Sequence, residues 1–189
     1  MQEINLITKY VWDNSITIDF GNEDIWNEDT FKKVWYKNNE WVKKDVVGVY
    51  WFGIRCKDIE KELMINQYYE IPGSCINYTK RIEEVRNLYG KYIYEHSNNQ
   101  IFYNGESDKV FNRLRSHFYT NNAGTGSLGL YYHKDISQTE LFVKIYHSKL
   151  NTKTKLDDVV NDVLQDKGGR LLIENCWRIN YGWPILSKD

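Results

Sequence analysis

The residues best suited to chemistry lie in two helical patterns. Arg113 and His117 stand four residues apart in the segment that follows Ser107-Asp108, so on a helix they share one face, one turn apart. Phe111, Leu114 and Phe118 mark the apolar stripe of that segment, with the Arg113/His117 pair about a quarter turn from its centre. Two basic side chains at the rim of a buried surface can hold an anion or move a proton. The same spacing also fits an amphipathic helix with ordinary flanking charge.

The second pattern runs from about Gly168 to Tyr181, where Gly182 and Pro184 mark an end. Leu171, Leu172, Ile173, Cys176, Trp177 and Ile179 cover nearly the whole circumference, which predicts a core helix, yet Glu174 sits among them. A carboxylate amid that much apolar surface is costly unless it is paired or binds a metal. Arg170 and Arg178, at i−4 and i+4, offer the pair. Ion pair and metal ligand are both open. A third pattern is set aside: Gly124 to Gly129 fits G-x-G-x-x-G, but it follows a helical segment and leads into Leu-Gly-Leu-Tyr-Tyr. A dinucleotide site needs a strand before and a helix after, so the segment reads as a flexible loop.

These residues need elements to position them. Val46 to Ile54 is a β-branched and aromatic run that predicts a central strand. Lys57 to Gln100 is helical in pattern, with Ile82, Val85, Leu88, Tyr89 and Tyr92 on one side and Gly90 as an interruption. Gln100 to Gly105 reads as a short strand, Ser107 or Asp108 can cap a helix over Lys109–Tyr119, and Leu130–His133 and Leu141–His147 read as strands. Residues 1–45 alternate weakly at Ile4 and Leu6 and again at Ile16, Ile18 and Phe20, and Trp26 to Trp41 has room for one short helix.

The 189 residues predict one domain, 1–189, with ordinary globular usage: 41% hydrophobic, 27% charged. No apolar stretch reaches the 18 or so residues of a membrane helix, and the N-terminal residues lack a basic region followed by an apolar run. The expectation is a cytoplasmic protein that does not enter membranes. Cys56, Cys75 and Cys176 include no C-x-x-C pair, so neither a disulfide framework nor a zinc site is suggested. Without a secretory leader the sequon at Asn77 carries no weight.

The net charge of −1 hides an asymmetry: Lys109 to Lys155 holds eight Lys or Arg against Asp135 and Glu140. Arg115, Lys134, Lys144 and Lys149 belong to this stretch, and His133 and His147 lie within it. A basic face of this kind fits either nucleic-acid docking or a solvated lysine-rich surface.

Taken in order, Gly48-Val49-Tyr50 on one strand, Tyr103-Asn104-Gly105 on a second, the Arg113-to-His117 helix, and Leu171-Leu-Ile-Glu174-Asn175 on a late helix with Pro184 beyond resemble the GIY-YIG nuclease superfamily. Ten residues separate Tyr103 from Arg113 and four separate Arg113 from His117, as in the family pattern, and the late helix is similar to that of the family's excision-repair nuclease. The likeness covers residues 46–56 and 100–187. Three positions depart from it. Asn104 stands where an aliphatic residue is usual, Asn112 where many members carry lysine, and Ser187 where the family has an asparagine three residues after the proline. Some 45 residues also separate the two tyrosine strands, and such insertions occur, with added N-terminal segments, in restriction endonucleases of the superfamily.

The resemblance implies an α+β fold: a small, mainly antiparallel sheet flanked by helices, with an N-terminal extension over 1–45 and a helical insertion over 57–100. It implies a DNA endonuclease using Mg²⁺ or Mn²⁺, nearest the restriction branch. Glu174 would bind the metal, Arg113 the scissile phosphate, Tyr50 or Tyr103 would activate water with His117 beside it, and Arg115, Lys134, Lys144 and Lys149 would touch double-stranded DNA. Because a free tyrosine ionises near pH 10, the acting phenol would be depressed by the metal, Arg113 and a neighbouring group, for which His117 bonded to a tyrosine hydroxyl is the candidate. A homodimer would suit a symmetric site. The alternatives are a repair or toxin nuclease and a nucleic-acid-binding module without turnover.

Overall fold

Seven consecutive buried residues, Gly48–Ile54, can be satisfied only by a strand with neighbours on both edges and cover on both faces. A computed structural model of the chain describes residues 2–20, 46–64, 75–95, 100–118, 126–133, 136, 140–150, 154 and 156–188. In it, β1 (Ile16–Phe20), β2 (Gly48–Ile54), β3 (Gln100–Ser107) and β4 (Leu141–His147) form one sheet in the order β1-β4-β2-β3. Every neighbouring pair is antiparallel. β2 is therefore interior, and Gly48 lets it approach β4: a Cβ there would lie 2.2 Å from the Tyr146 carbonyl oxygen.

Alternation along β2 divides two cores. Tyr50, Phe52 and Ile54 face one layer, holding α2 (Ile59–Met64), α3 (Tyr78–Tyr89) and α4 (Val110–Phe118), where they join Leu63, Ile82, Leu114, Phe118 and Leu128. Val49 and Trp51 face the other, holding α1 (Gln2–Asp13), α5 (Leu156–Gln165) and α6 (Lys167–Tyr181), with Ile7, Val160, Leu164 and Trp177. The β2/β3 register slips after Phe52: Tyr103 opposes Phe52 and Ile101 opposes Gly53, so Phe102 is the extra residue of a bulge. Phe102 and Tyr103 consequently both contribute to the first core.

The result is an α+β architecture of six helices, among the described residues, on a four-stranded antiparallel sheet. None of those helices is long and apolar enough to cross a membrane. Several details differ from the sequence reading. The weak alternation near Ile4 and Leu6 is a helix, because Ile4, Ile7 and Val11 repeat at helical spacing and pack on the sheet. Leu130–His133 is no strand: Gly129 takes a left-handed turn and Leu130–Tyr132 is one turn of 3-10 helix. The sequence reading assigns no helix to α5, although Leu156, Val159, Val160, Val163 and Leu164 recur at helical spacing and Val160 and Leu164 are buried. On α6, Leu171, Leu172 and Ile179 are exposed, and the buried side carries Arg170, Glu174 and Arg178 beside Ile173, Cys176 and Trp177. The helix is amphipathic with its charges inward. The helix expected within Trp26–Trp41 lies outside the described residues.

Between β2 and β3 the chain places α2 and α3, and Asn77 caps α3 by accepting the Lys80 N–H at 3.0 Å. After α6 the tail returns along β3. The Leu186 N–H donates to the Phe102 carbonyl at 2.8 Å, and Trp183 stacks on Tyr89 at 3.9 Å. Part of the edge strand is thereby covered, and residues 184–187 lie against it.

Candidate active site

Tyr50 and Tyr103 come from adjacent strands on the same sheet face, their ring centroids 6.4 Å apart. Tyr50 lies across the backbone of Gly105, its cross-strand partner. A Cβ at Gly105 would stand 2.5 Å from the Tyr50 hydroxyl oxygen, so the glycine of the second motif makes room for the tyrosine of the first. Burial pushes both phenols above their ordinary pKa, most of all Tyr50, while Arg113 pulls both down. Both are neutral.

α4 begins after Ser107 accepts the Lys109 N–H at 3.0 Å and packs against β2 and β3. That packing delivers Arg113 to where its charge acts on both phenols and His117 to Tyr50. His117 is fully buried, and its Nδ1 accepts the Leu128 backbone N–H at 3.2 Å. The ring proton is thus on Nε2, which donates to the Tyr50 hydroxyl oxygen at 2.9 Å. Burial and the Arg113 charge hold the imidazole well below its ordinary pKa, and the Leu128 N–H leaves no room for a second ring proton. Tyr78 of α3 donates to the Leu128 carbonyl at 2.8 Å. A relay of contacts from α3 through the glycine-rich loop therefore fixes the tautomer that faces Tyr50. No sequence signal marked Tyr78 or Leu128 for this role.

Glu174 approaches from α6 on the opposite layer, beside the edge strand. Only 6% exposed, it pairs with Arg178. Burial raises its carboxyl to about 7, with Glu106 adding to the rise and Arg178 and Arg113 opposing it. The carboxylate and Arg113 feel one another's charge, and Glu174 acts on both phenols. The five candidates Tyr50, Tyr103, Arg113, His117 and Glu174 therefore come together from β2, β3, α4 and α6. Of the two arginines flanking Glu174, Arg170 instead pairs with Glu106 at 2.6 Å and donates to the Leu164 carbonyl at 2.8 Å.

Arg178 is held in turn. Its Nε donates to Asn104 Oδ1 at 2.9 Å, and Ser187 Oγ donates to the same oxygen at 3.0 Å. The Asn104 backbone N–H donates back to Ser187 Oγ at 3.1 Å. Asn104 and Ser187 are thus bonded to each other, and Asn104 bonds the partner of Glu174.

Comparison with family models, curated proteins and solved structures returns no match.

The basic candidates are dispersed. Arg115 is exposed on α4, two residues beyond Arg113, and Lys149 is exposed in the turn after β4. Lys144 opposes Trp51 and Thr17, so alternation turns it to the α1 layer, where its Nζ lies 3.7 Å from the Trp12 ring centroid. It lies on the opposite side of the sheet from Tyr50 and Tyr103. Lys134 lies outside the described residues. His133 is buried and stacked on Tyr78 at 3.9 Å, and His147 is buried with Nδ1 accepting the Lys149 N–H at 3.1 Å.

Among the described residues no cluster of three or more His, Cys, Asp or Glu forms a metal cage. Arg178 occupies Oε1 of Glu174, and Oε2 takes no hydrogen bond among the described residues. One free carboxylate oxygen on a side chain that feels the Arg113 charge fits Mg²⁺ or Mn²⁺, which are commonly held by one or two carboxylates together with water and substrate phosphate. It does not fit a zinc site, which needs three or four protein ligands.

Proposed function

We propose that the chain is a divalent-metal-dependent endonuclease that hydrolyses phosphodiester bonds in double-stranded DNA, of the restriction type. The observation that carries this reading is the grouping of two phenols and a neutral histidine in ring contact, with an arginine one turn before that histidine and a lone carboxylate, held against the next residue of the edge strand, whose charge acts on them. Composition does not require it; Glu174 lies 71 residues from Tyr103.

Each side chain has work in such a reaction. The guanidinium of Arg113, with five N–H donors, can hold a phosphate while its charge still acts on the phenols. Glu174 Oε2 would hold the metal ion, which when bound supplies Lewis-acid stabilisation of charge on the phosphoryl oxygens. Tyr50 is the better-placed base. Its oxygen receives the His117 Nε2–H and feels the Arg113 charge, two influences that favour the phenolate once the hydroxyl proton has been released to solvent. It can then accept the proton of an attacking water. His117 orients and stabilises; already carrying its proton on Nε2, it accepts none. Tyr103, partly exposed, borders the same space. A symmetric duplex would be met most simply by a homodimer.

Supercoiled plasmid incubated with the protein and Mg²⁺ or Mn²⁺ tests the reading. Cleavage by the wild type, abolished in Arg113→Ala and Glu174→Ala, supports it, and discrete fragments assign the restriction type. A smear points to a repair or toxin nuclease. An inert wild type that binds DNA in a salt-dependent manner makes the chain a binding module.

A further inference from the structure

Arg178 is 3% exposed and lies behind Glu174 on the same helix face, one turn on. Its guanidinium is anchored in several directions: Nη2 on Glu174 Oε1, Nε on Asn104 Oδ1 at 2.9 Å, Nη1 on Asn175 Oδ1 at 3.2 Å, and its plane against Trp183 at 4.9 Å. A planar fork held at separate nitrogens cannot swivel, so the carboxylate oxygen it grips is fixed as well. The orientation of the Asn104 amide is fixed too. Ser187 Oγ takes the Asn104 backbone N–H as acceptor, which leaves its own proton to donate to Asn104 Oδ1. That oxygen therefore faces Arg178, and Nδ2 turns toward the Glu174 carbonyl at 3.4 Å. An aliphatic residue at 104 would leave Nε of a buried cation without this acceptor.

We propose that Arg178, oriented by the Asn104–Ser187 pair, is the positioning residue that aims the free oxygen of Glu174 at the metal. The proposal rests on the nuclease reading. Arg178 touches neither ion nor phosphate; it acts through the carboxylate. Groups that orient metal ligands commonly change metal affinity or activity by about 10- to 100-fold when removed. Removing a cation that merely competed with the metal would have the opposite sign and tighten binding.

The test compares wild type, Arg178→Met and Ser187→Ala. Two readouts are used: the Mn²⁺ concentration giving half-maximal plasmid cleavage, and Mn²⁺ binding to the protein alone, followed by loss of the free-ion paramagnetic resonance signal. In Arg178→Met both half-saturation points rise by about tenfold or more; in Ser187→Ala they rise in the same direction by a smaller factor. If Arg178→Met does not fold, as judged by its melting curve, Ser187→Ala decides alone. Wild-type cleavage with an unchanged or lowered Mn²⁺ requirement in the folded variants overturns the positioning role and leaves the nuclease reading intact. A wild type that cuts no DNA overturns both.

Discussion

Gly105→Ala should separate the placement of Tyr50 from its presence. The new methyl carbon would lie 2.5 Å from the Tyr50 hydroxyl oxygen and 2.7 Å from Cζ, roughly 1 Å inside ordinary contact distance. The backbone on either side is paired to β2, so the ring must move, and it is wedged between Phe52, Tyr103 and His117. Overpacking of this kind costs about 1–3 kcal/mol, partly offset by the ~0.4–1 kcal/mol that alanine gains from a less flexible unfolded chain. A net loss of about 1–2 kcal/mol is expected. Displacing a reacting group by about 1 Å slows a positioned reaction on the order of 100-fold, so cleavage should fall far more than stability. Urea unfolding followed by tryptophan fluorescence reads the first quantity, and single-turnover plasmid cleavage the second. Adding Tyr50→Phe to Gly105→Ala removes the closest contact and should restore part of the stability and none of the cleavage. A Gly105→Ala protein that cuts at the wild-type rate would refute the claim that Tyr50 works from its present position.

Gly90→Ala is the matched control: nothing lies within 4 Å of a Cβ there and the backbone is helical, so denaturant melts should show a gain of about 0.4–1 kcal/mol. Burial holds His133 neutral down to about 4 against an ordinary 6.5. As pH falls from 6.5 to 4 the unfolded chain takes up a proton that the folded chain refuses, and stability drops by up to about 3 kcal/mol from this group. His133→Phe, which keeps the stack on Tyr78, should therefore lose less stability than wild type between pH 7 and pH 5 in urea melts. Because Tyr50 must ionise from a raised pKa, cleavage at saturating metal should climb by about tenfold per pH unit through the neutral range. A plateau already reached in the neutral range would refute ionisation of Tyr50 as the step that sets the rate.

Much of this arrangement was legible because its signals are local. A buried interior strand must read as a continuous apolar run, as Gly48–Ile54 does, and helix spacing alone joins Arg113 to His117. The inward-facing charges of α6 were legible only as a conflict, a carboxylate amid apolar residues. Choosing between Arg170 and Arg178 required knowing that Glu106, across on β3, claims the first. The Asn104–Ser187 bond joins residues 83 positions apart, and each looked like an isolated departure because nothing in one chain's sequence pairs them. The helical character of Gln2–Asp13 was overlooked because Ile4 and Leu6 suggest alternation, whereas Ile7 and Val11 carry the burial. Lys144 counted toward a basic face by sequence, although strand alternation turns it to the other side of the sheet.

If Tyr50, Tyr103, Arg113, His117 and Glu174 act as one centre, their losses cannot multiply. The most direct measurement is a double-mutant cycle on DNA cleavage with Arg113→Ala, Glu174→Ala and the combined variant under identical metal and salt. Each single change should bring the rate close to background, and the double should be no slower than the worse single. Singles that retain wild-type rates, or a double whose loss is the product of two modest ones, would mean that the arginine and the carboxylate do not serve the same reaction.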